Sequence, residues 1–201
     1  ARVPVLSHLD GICHVYVDRD ADPAMALDIV VNSKMRRTGV CNAAETLLVD
    51  AAVAATMLPG IAAALSARGC ELRGDDAARR IVPAMVPATQ ADWDTEYLDA
   101  ILSVRIVNGP QGALGHIARY GSGHTEVVVT DNADTARTML AAIDAAVVMH
   151  NASSGFSDGG EFGYGGEIGI ATGRLHARGP VGASQLTTSK YVVHGQGQVR
   201  G

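Results

Sequence analysis

The sequence lacks large basic clusters and long apolar runs. Its 16 Lys and Arg are outnumbered by 21 Asp and Glu among 201 residues, which gives a formal net charge of -5. Nucleic acids and anionic membranes recruit faces rich in Lys and Arg, so neither is expected as a partner. No apolar run approaches the ~20 residues that a membrane-spanning helix needs. Together these absences predict a cytoplasmic protein that acts on a small molecule.

Cysteine is also scarce. The three cysteines, Cys13, Cys41 and Cys70, are odd in number and have no CxxC spacing, so the sequence indicates neither a disulfide framework nor a metal site. A reducing compartment is therefore expected.

The first residues lack the basic, apolar and small-residue order of a secretory signal, and they read at once as strand-forming sequence. This abrupt start predicts a piece of a longer chain.

Segments typical of strands and of helices alternate along most of the chain. The predicted strands are ICHVYVD, TLLVD, CELRG, ILSVRIV, TEVVVT and AAVVMHN, with IVPAMVPA as a short extended piece. The predicted helices begin at Asp22-Pro23, at Asp50, at Pro110 and at Asp131 or Asn132, and they end before Thr38, at Ala67, at Gly121 and at Ile143. Pro59-Gly60 is expected to kink or split the second helix. This order predicts an α/β fold with a mostly parallel sheet and helices on both faces.

Glycine dominates the sequence after Ala152. The run SSGFSDGGEFGYGGEIGIATG is too long for an ordinary connection, and loops of this length tend to be functional. It has neither GxGxxG after a strand nor a following GK[ST], so it is not a phosphate-binding loop by motif. The ending TTSKYVVHGQGQVR alternates like a strand and needs an edge to pair with. A neighbouring subunit could supply that edge, which predicts a homo-oligomer.

Cys41 is the main candidate for a catalytic nucleophile. It lies in SKMRRTGVCNAAETLLVD, in a predicted turn between a helix and a strand. A thiol nucleophile needs partial exposure and a lowered pKa, which a Gly-containing turn beside Arg36 and Arg37 favours. Free Cys is also among the most buried residue types, so a core role stays open at this point. His14 is a weaker candidate for a general base acting on Cys41, because a His within a strand is usually structural.

Five blocks in order resemble the γ-glutamyl phosphate reductase family of the aldehyde dehydrogenase superfamily. They are HLDGICHVYVD, KMRRTGVCNAAETLLVD, ILSVRIV, RYGSGHTEVVVT and NASSGFSDGGEFGYGGEIGIATGRLHARGPVGASQLTTSK. The resemblance implies an aldehyde dehydrogenase-like catalytic domain in residues 1–165 and a C-terminal return and oligomerisation strand in residues 166–201. It also implies that the chain corresponds to the C-terminal half of such an enzyme, without the N-terminal cofactor domain.

The resemblance further implies a chemistry and its residues. Cys41 would attack γ-glutamyl phosphate, and NADPH would reduce the resulting thioester to glutamate 5-semialdehyde in proline biosynthesis. Glu96 would hold the nicotinamide ribose. Arg37, Asn42 and Phe156 would contact the substrate, with Phe156 as a wall of its tunnel. The upstream glutamate kinase is a further possible partner.

The sequence departs from the family at several positions. Thr38 replaces the usual Pro before Gly39, and Gly155 replaces the usual Arg, which weakens the case for anion binding through that loop. Where hydrolytic members of the superfamily have a general-base Glu, SHLDG stands here, with His8 and Asp10 nearby; losing that base favours reduction of a thioester over its hydrolysis. Two alternatives stay open: another acylating aldehyde dehydrogenase, or an inactive half whose role is oligomerisation.

Overall fold

A seven-stranded sheet in which every pair is parallel organises the fold. The computed structural model describes residues 2–3 and 5–201. The strands are β1 Cys13–Val17, β2 Ala44–Asp50, β3 Glu71–Gly74, β4 Val86–Pro87, β5 Ile101–Val107, β6 Thr125–Val129 and β7 Val147–His150. They lie in the order β4-β3-β5-β2-β1-β6-β7. The mostly parallel sheet predicted from the sequence is therefore confirmed.

Five helices cover the two faces of this sheet. They are α1 Pro23–Met35, α2 Ala54–Ser66, α3 Asp76–Ile81, α4 Gly109–Tyr120 and α5 Ala133–Ala142. One core cluster joins α1, α2 and α3 to strand residues such as Val15 and Leu47. The other joins α4 and α5 to Tyr16 and Leu48. Neighbouring residues of one strand thus serve opposite cores, as the two-residue period of a strand requires.

Local capping signals set where two of the helices begin. Asp22 accepts a hydrogen bond from the Met25 N–H at 2.7 Å, and Pro23 takes the first helical position. At α5 the side chain of Asn132, rather than that of Asp131, accepts bonds from Asp134 and Thr135. Both predicted starts are confirmed, because a cap depends only on residues within one turn.

The second helix begins later than expected and is not split at Pro59-Gly60. Asp50 is the last residue of β2, and its carboxylate accepts bonds from the Ala52 N–H at 2.9 Å and from Arg19 at 3.1 Å. The helix begins instead at Ala54 and runs unbroken through Pro59. Pro59 removes one backbone donor, but the buried side chains along α2 hold the helix against the sheet.

The sequence reading missed α3. The Asp75 side chain accepts from the Ala78 N–H at 2.8 Å and caps six helical residues, where only extended pieces were expected around IVPAMVPA. Within IVPAMVPA, only Val86–Pro87 forms a strand. The QADWD segment that follows forms a 3-10 helix, Gln90–Asp94. A helix of under two turns shows no hydrophobic periodicity, which explains the miss.

The glycine-rich segment is less regular than the sheet. It contains the 3-10 helix Ser154–Phe156 and a small antiparallel pair, β8 Gly169–Ala171 with β9 Gly179–Val181; a further 3-10 helix, Ser184–Leu186, follows. Residues 188–201 form no helix or strand within the described chain. The strand expected there is therefore absent from the single chain, and its pairing with another subunit stays a prediction. Within the described residues, no helix has the length and apolar character needed to cross a membrane.

Candidate active site around Cys41

The candidate site lies at the amino ends of three neighbouring strands, β2, β1 and β6. Cys13 of β1 lies opposite Ala44 of β2, and His14 lies opposite Glu126 of β6. Residues just before these strands therefore share one edge of the sheet. Ligands of open α/β sheets usually bind at the carboxyl ends of the strands, so this edge is not the one that the fold class alone would suggest.

Cys41 lies in the turn of residues 36–43 that joins α1 to β2, as predicted. Its side chain is half-buried. The Cys41 carbonyl oxygen accepts a hydrogen bond from the Cys13 thiol at 3.2 Å, and the Ala43 N–H donates to the Val40 carbonyl at 3.0 Å. These two bonds hold the backbone of the turn, while the Cys41 thiol stays accessible.

A cavity of about 350 Å³ opens beside this thiol. Two of the predicted substrate residues, Arg37 and Asn42, line it together with Cys41. Arg36 lines the cavity as well, and so do two acidic residues that the sequence analysis did not single out, Asp158 and Glu167. They come from the glycine-rich segment, which the Asn42 amide holds by donating to the Ser157 carbonyl at 3.0 Å. The cavity therefore presents a thiol between cationic and anionic groups.

The expected lowering of the Cys41 pKa is wrong. Burial raises the pKa of the Cys41 thiol, and the negative charges of Glu167 and then Glu96 raise this pKa further. Arg36 and Arg37 line the same cavity but do not reverse the rise in this pKa. The thiol is therefore mostly protonated near neutral pH and needs a base.

Two histidines lie beside Cys41. One ring nitrogen of His8, one of His124 and the Cys41 sulfur all lie within 4.8 Å of one another. Burial, and then the charge of His8, lowers the pKa of His124 to about 4, so its imidazole is neutral near pH 7. His14, the weaker sequence candidate, is fully buried and bonded to Glu126 at 2.9 Å. His124 had no local sequence signal, because it reaches Cys41 only through the pairing of β1 with β6.

Glu96 lies near the Cys41 thiol, whereas Phe156 lines a different cavity. Glu96 is half-buried, follows the 3-10 helix Gln90–Asp94, and lies near enough for its charge to act on the Cys41 thiol. Phe156 is 51% exposed and lines a neighbouring cavity of about 610 Å³ along α1. Arg36 lines both cavities, so it marks where they adjoin.

A buried ion pair supports the turn from the side of α1. The Lys34 Nζ donates to the Glu45 carboxylate at 2.7 Å, and neither side chain is more than 1% exposed. The backbone of Leu98 and that of Tyr97 lie near enough to favour the charged form of the Glu45 carboxylate. Leu98 has a φ of 52°, which is strained for a non-glycine residue. Glu45 therefore lies between the end of α1 and the loop that carries Glu96.

Comparisons with known proteins find chains of similar sequence and fold. No family model matches the chain. A γ-glutamyl phosphate reductase of Hyphomonas neptunium is 64% identical over 200 residues, which cover 100% of this chain and 47% of that protein. A crystal structure of γ-glutamyl phosphate reductase from Thermotoga maritima superimposes with a TM-score of 0.95 and 49% identity, and the match covers 100% of this chain and 48% of that one. Over its whole length the chain resembles γ-glutamyl phosphate reductases.

The likeness to γ-glutamyl phosphate reductase has a defined extent. The chain spans about half the length of the curated relatives that it matches. An acetylating aldehyde dehydrogenase from Geobacillus thermoglucosidasius aligns with a TM-score of 0.73 at 17% identity, covering 98% of this chain and 53% of that one. At that identity the match shows the fold alone, and it confirms the aldehyde dehydrogenase-like α/β architecture.

The departure at Gly155 from the usual γ-glutamyl phosphate reductase pattern has a structural counterpart. A Cβ atom on Gly155 would lie 2.8 Å from Arg36 Nε, and an Arg36 Nη atom donates to the Gly155 carbonyl at 3.4 Å. The Arg36 guanidinium therefore occupies the space beside Gly155. A cation is present at this position, but it comes from the end of α1.

Arg178 has a structural role in this part of the γ-glutamyl phosphate reductase-like fold. It donates to the Asp144 carboxylate at 2.6 Å and to the Thr172 carbonyl at 3.1 Å. These bonds tie the loop between β8 and β9 to the segment before β7. His176 bonds to the Gln185 carbonyl at 2.8 Å. The bonds of both residues are thus to protein groups within this segment and the segment before β7.

Proposed function

We propose that this chain provides the nucleophile-bearing half of a γ-glutamyl phosphate reductase of proline biosynthesis. Residues 1–165 form its catalytic domain and residues 166–201 its oligomerisation segment. The observation that carries the proposal is the accessible Cys41 thiol in a cavity that also holds cationic side chains. The similarity to γ-glutamyl phosphate reductases over the whole chain supports it.

In this proposal Cys41 forms a thioester with the substrate. Its thiolate attacks the acyl carbon of γ-glutamyl phosphate, the new S–C bond forms, and the bond from that carbon to the phosphate oxygen breaks. Phosphate leaves with the electron pair of the broken bond. The thiol proton would pass to the His8 ring nitrogen that lies within 4.8 Å of the sulfur. His124 lies within the same distance, but its lowered pKa makes it a poor base for a thiol. The Cys41 N–H, in the same turn, would donate to the developing oxyanion.

The charges of the cavity fit the substrate. γ-Glutamyl phosphate carries a phosphate, an α-carboxylate and an α-ammonium group. Arg36 and Arg37 would bind the anionic groups, for which guanidinium is suited. Asp158 and Glu167 would bind the ammonium group. Asn42 positions the latter pair by holding their loop, while Phe156 would contact the part of the substrate that reaches the neighbouring cavity.

Glu96 fits the nicotinamide ribose of NADPH. Its carboxylate lies near enough for its charge to act on the thiol that would carry the thioester, and a carboxylate suits the ribose hydroxyls as an acceptor of charge-assisted hydrogen bonds. When bound, NADPH supplies the hydride that reduces the thioester to glutamate 5-semialdehyde. The sequence has no dinucleotide fingerprint, so the rest of NADPH would bind to the part of the longer protein outside this chain.

The C-terminal segment would pair with a second subunit. Its apolar side chains are open to solvent, with Tyr191 99% and Val193 88% exposed. Contact with an adjacent subunit would cover them and complete the oligomer. Direct contact with an upstream glutamate kinase stays a prediction.

Substitution of Cys41 in a full-length enzyme containing this segment tests the function. Oxidation of glutamate 5-semialdehyde in the presence of phosphate and NADP⁺ reports the reverse reaction through NADPH absorbance. Cys41→Ser should lower turnover about 1000-fold or more, since the hydroxyl is a far weaker nucleophile. Cys70→Ser, in the core and outside the cavity, is the matched control and should retain turnover. A Cys41→Ser enzyme with a sizeable fraction of wild-type turnover would refute the role of Cys41.

A second pair of measurements separates the proposed steps. Glu96→Gln should slow reduction while leaving acylation of Cys41 intact, as judged by the mass of the trapped thioester. Acylation that fails as badly as reduction would remove Glu96 from the cofactor site. Faster turnover of another acyl substrate than of the γ-glutamyl one would assign the chain to a different acylating aldehyde dehydrogenase.

A further inference from the structure

The cluster of His8, Cys41 and His124 has a second chemical capability. Its three ligand-type atoms come from distant parts of the sequence and lie within 4.8 Å of one another. In a tetrahedral zinc site the ligand atoms lie about 3.5 Å apart, given Zn–N and Zn–S bonds of about 2.1 and 2.3 Å. Small side-chain rotations would therefore bring the three groups onto one ion.

The two imidazoles have nitrogen atoms available for a ligand. The Nδ1 atom of His8 and the Nε2 atom of His124 are buried and, within residues 2–3 and 5–201, have no hydrogen-bond partner. The His124 side chain is fully buried. Leaving a polar atom buried and unpaired is unfavourable, so a bound ion at this place would relieve a penalty that the fold otherwise carries.

The surroundings of His124 also match those of a metal ligand. Its Nδ1 atom lies 2.9 Å from the Thr125 hydroxyl oxygen, which itself donates to Ser157 at 2.9 Å. This contact fixes the ring orientation, and bonds of this kind to the second ring nitrogen accompany most ligating histidines. The carboxylates of Glu167 and Glu96 act on the same thiol and make the position favourable for a cation.

We propose that His8, Cys41 and His124 form a site for one Zn²⁺ ion that reversibly masks the Cys41 nucleophile. On binding, a Zn–S bond replaces the S–H bond, and the thiol proton leaves to solvent. The two imidazoles coordinate as neutral ligands, and a water molecule takes the fourth position. No electron is transferred, because Zn²⁺ has no redox chemistry. Removal of the ion by a chelator restores the thiol.

Zinc binding and masking of the thiol do not depend on the enzymatic activity. Only the consequence that zinc stops turnover rests on the proposed function. Zinc competition and alkylation of Cys41 can both be measured on the reduced 201-residue chain without substrate. Their failure is therefore distinguishable from a failure of the Cys41→Ser turnover experiment.

Competition for Zn²⁺ with a chromophoric chelator tests the site. The chain should bind one Zn²⁺ ion, and Cys41→Ser and His8→Asn should each weaken binding about 10–100-fold, because each removes one ligand. His8 lies in the segment before β1 and is only partly buried, so its replacement should not disturb folding. Mg²⁺ should not compete, since it requires oxygen ligands. His194→Asn and Cys70→Ser are the matched controls and should bind as the wild type does.

Alkylation of Cys41 tests the masking. Zn²⁺ should slow labelling of the Cys41 peptide by iodoacetamide at least tenfold, and a chelator should restore the rate. Equal zinc affinity in the wild-type, Cys41→Ser and His8→Asn chains would overturn the site. Zinc binding that leaves the alkylation rate of Cys41 unchanged would overturn the masking of the nucleophile.

Discussion

Gly11 and Cys41 are in backbone contact across the amino edge of the sheet. A Cβ atom on Gly11 would overlap the Cys41 carbonyl oxygen and lie 2.8 Å from the Cys41 Cα. Because both neighbours are backbone atoms, no side-chain rotation can relieve this overlap. The close approach of β1 to the Cys41 turn therefore requires glycine at position 11.

Gly11→Ala should displace the Cys41 turn and destabilise the chain. We expect the free energy of unfolding to fall by about 1–3 kcal/mol, the usual cost of overpacking, together with a changed alkylation rate of Cys41. Gly115→Ala is the matched control, because nothing lies within 4 Å of a Cβ at that helical position. It should raise the free energy of unfolding by about 0.5–1 kcal/mol. Denaturant unfolding of both variants measures the difference, and equal effects would contradict the contact.

Glu167→Gln should make Cys41 more reactive near neutral pH. The substitution keeps the shape of the side chain but removes a negative charge that raises the pKa of the Cys41 thiol, so this pKa should fall and the thiolate fraction should rise. Glu96→Gln should act in the same direction but more weakly. Iodoacetamide rates as a function of pH measure the pKa. Glu161→Gln, an exposed carboxylate nearby in sequence, should leave it unchanged, and no difference between the Glu167 and Glu161 variants would contradict the prediction.

Lys34→Met should be strongly destabilising at pH 8. It leaves Glu45 buried without its cation, a change that usually costs about 3–5 kcal/mol of unfolding free energy. Replacing both partners by apolar residues should cost less than the single change does. Arg137→Met removes an exposed ion pair with Asp134 and should change stability little. Comparable losses for Lys34→Met and Arg137→Met in denaturant unfolding would contradict the importance of burial.

The buried Glu45 should make stability depend on pH. Burial raises the pKa of Glu45 from its ordinary value of 4.5 to about 7, although Lys34 opposes this shift. Between these pH values the folded chain holds a proton that the unfolded chain has lost, so the stabilisation is present below pH 4.5 and is lost as the pH rises through 7. Glu45→Gln stays neutral and should lose this part of the pH dependence. Equal pH slopes in denaturant unfolding of the wild type and Glu45→Gln would show the assignment to be wrong.

The 201-residue chain should self-associate at least to dimers and bind NADPH negligibly. Tyr191, Val192 and Val193 are exposed in the described chain, and pairing with another copy would cover them. Sedimentation velocity measures the association, and cofactor fluorescence measures the binding. Substituting Ser at Tyr191 and Val193 should shift the chain towards monomers. A strictly monomeric wild-type chain would refute the strand-pairing argument, and tight NADPH binding would place the cofactor site within this chain.

Much of the element order could be predicted because its signals are local. The caps at Asp22 and Asn132 act within one helical turn, and the apolar β-branched runs mark the strands that lie at the centre of the sheet. The turn position of Cys41 follows from the same signals. The wrong expectation at Asp50 shows their limit. A residue that resembles a cap can equally end a strand when partners such as Arg19 lie close by only in the folded chain.

The sequence by itself determined the α/β alternation, the turn that carries Cys41 and the family resemblance. Tertiary structure alone decided which groups surround that thiol. Register between β1, β2 and β6 brings His8 and His124 to Cys41, although no spacing in the sequence connects them. Tertiary structure also decided that the pKa of the Cys41 thiol is raised, because desolvation and charge act through space. Distances across a sheet edge depend on pairing between strands, and no local pattern encodes them.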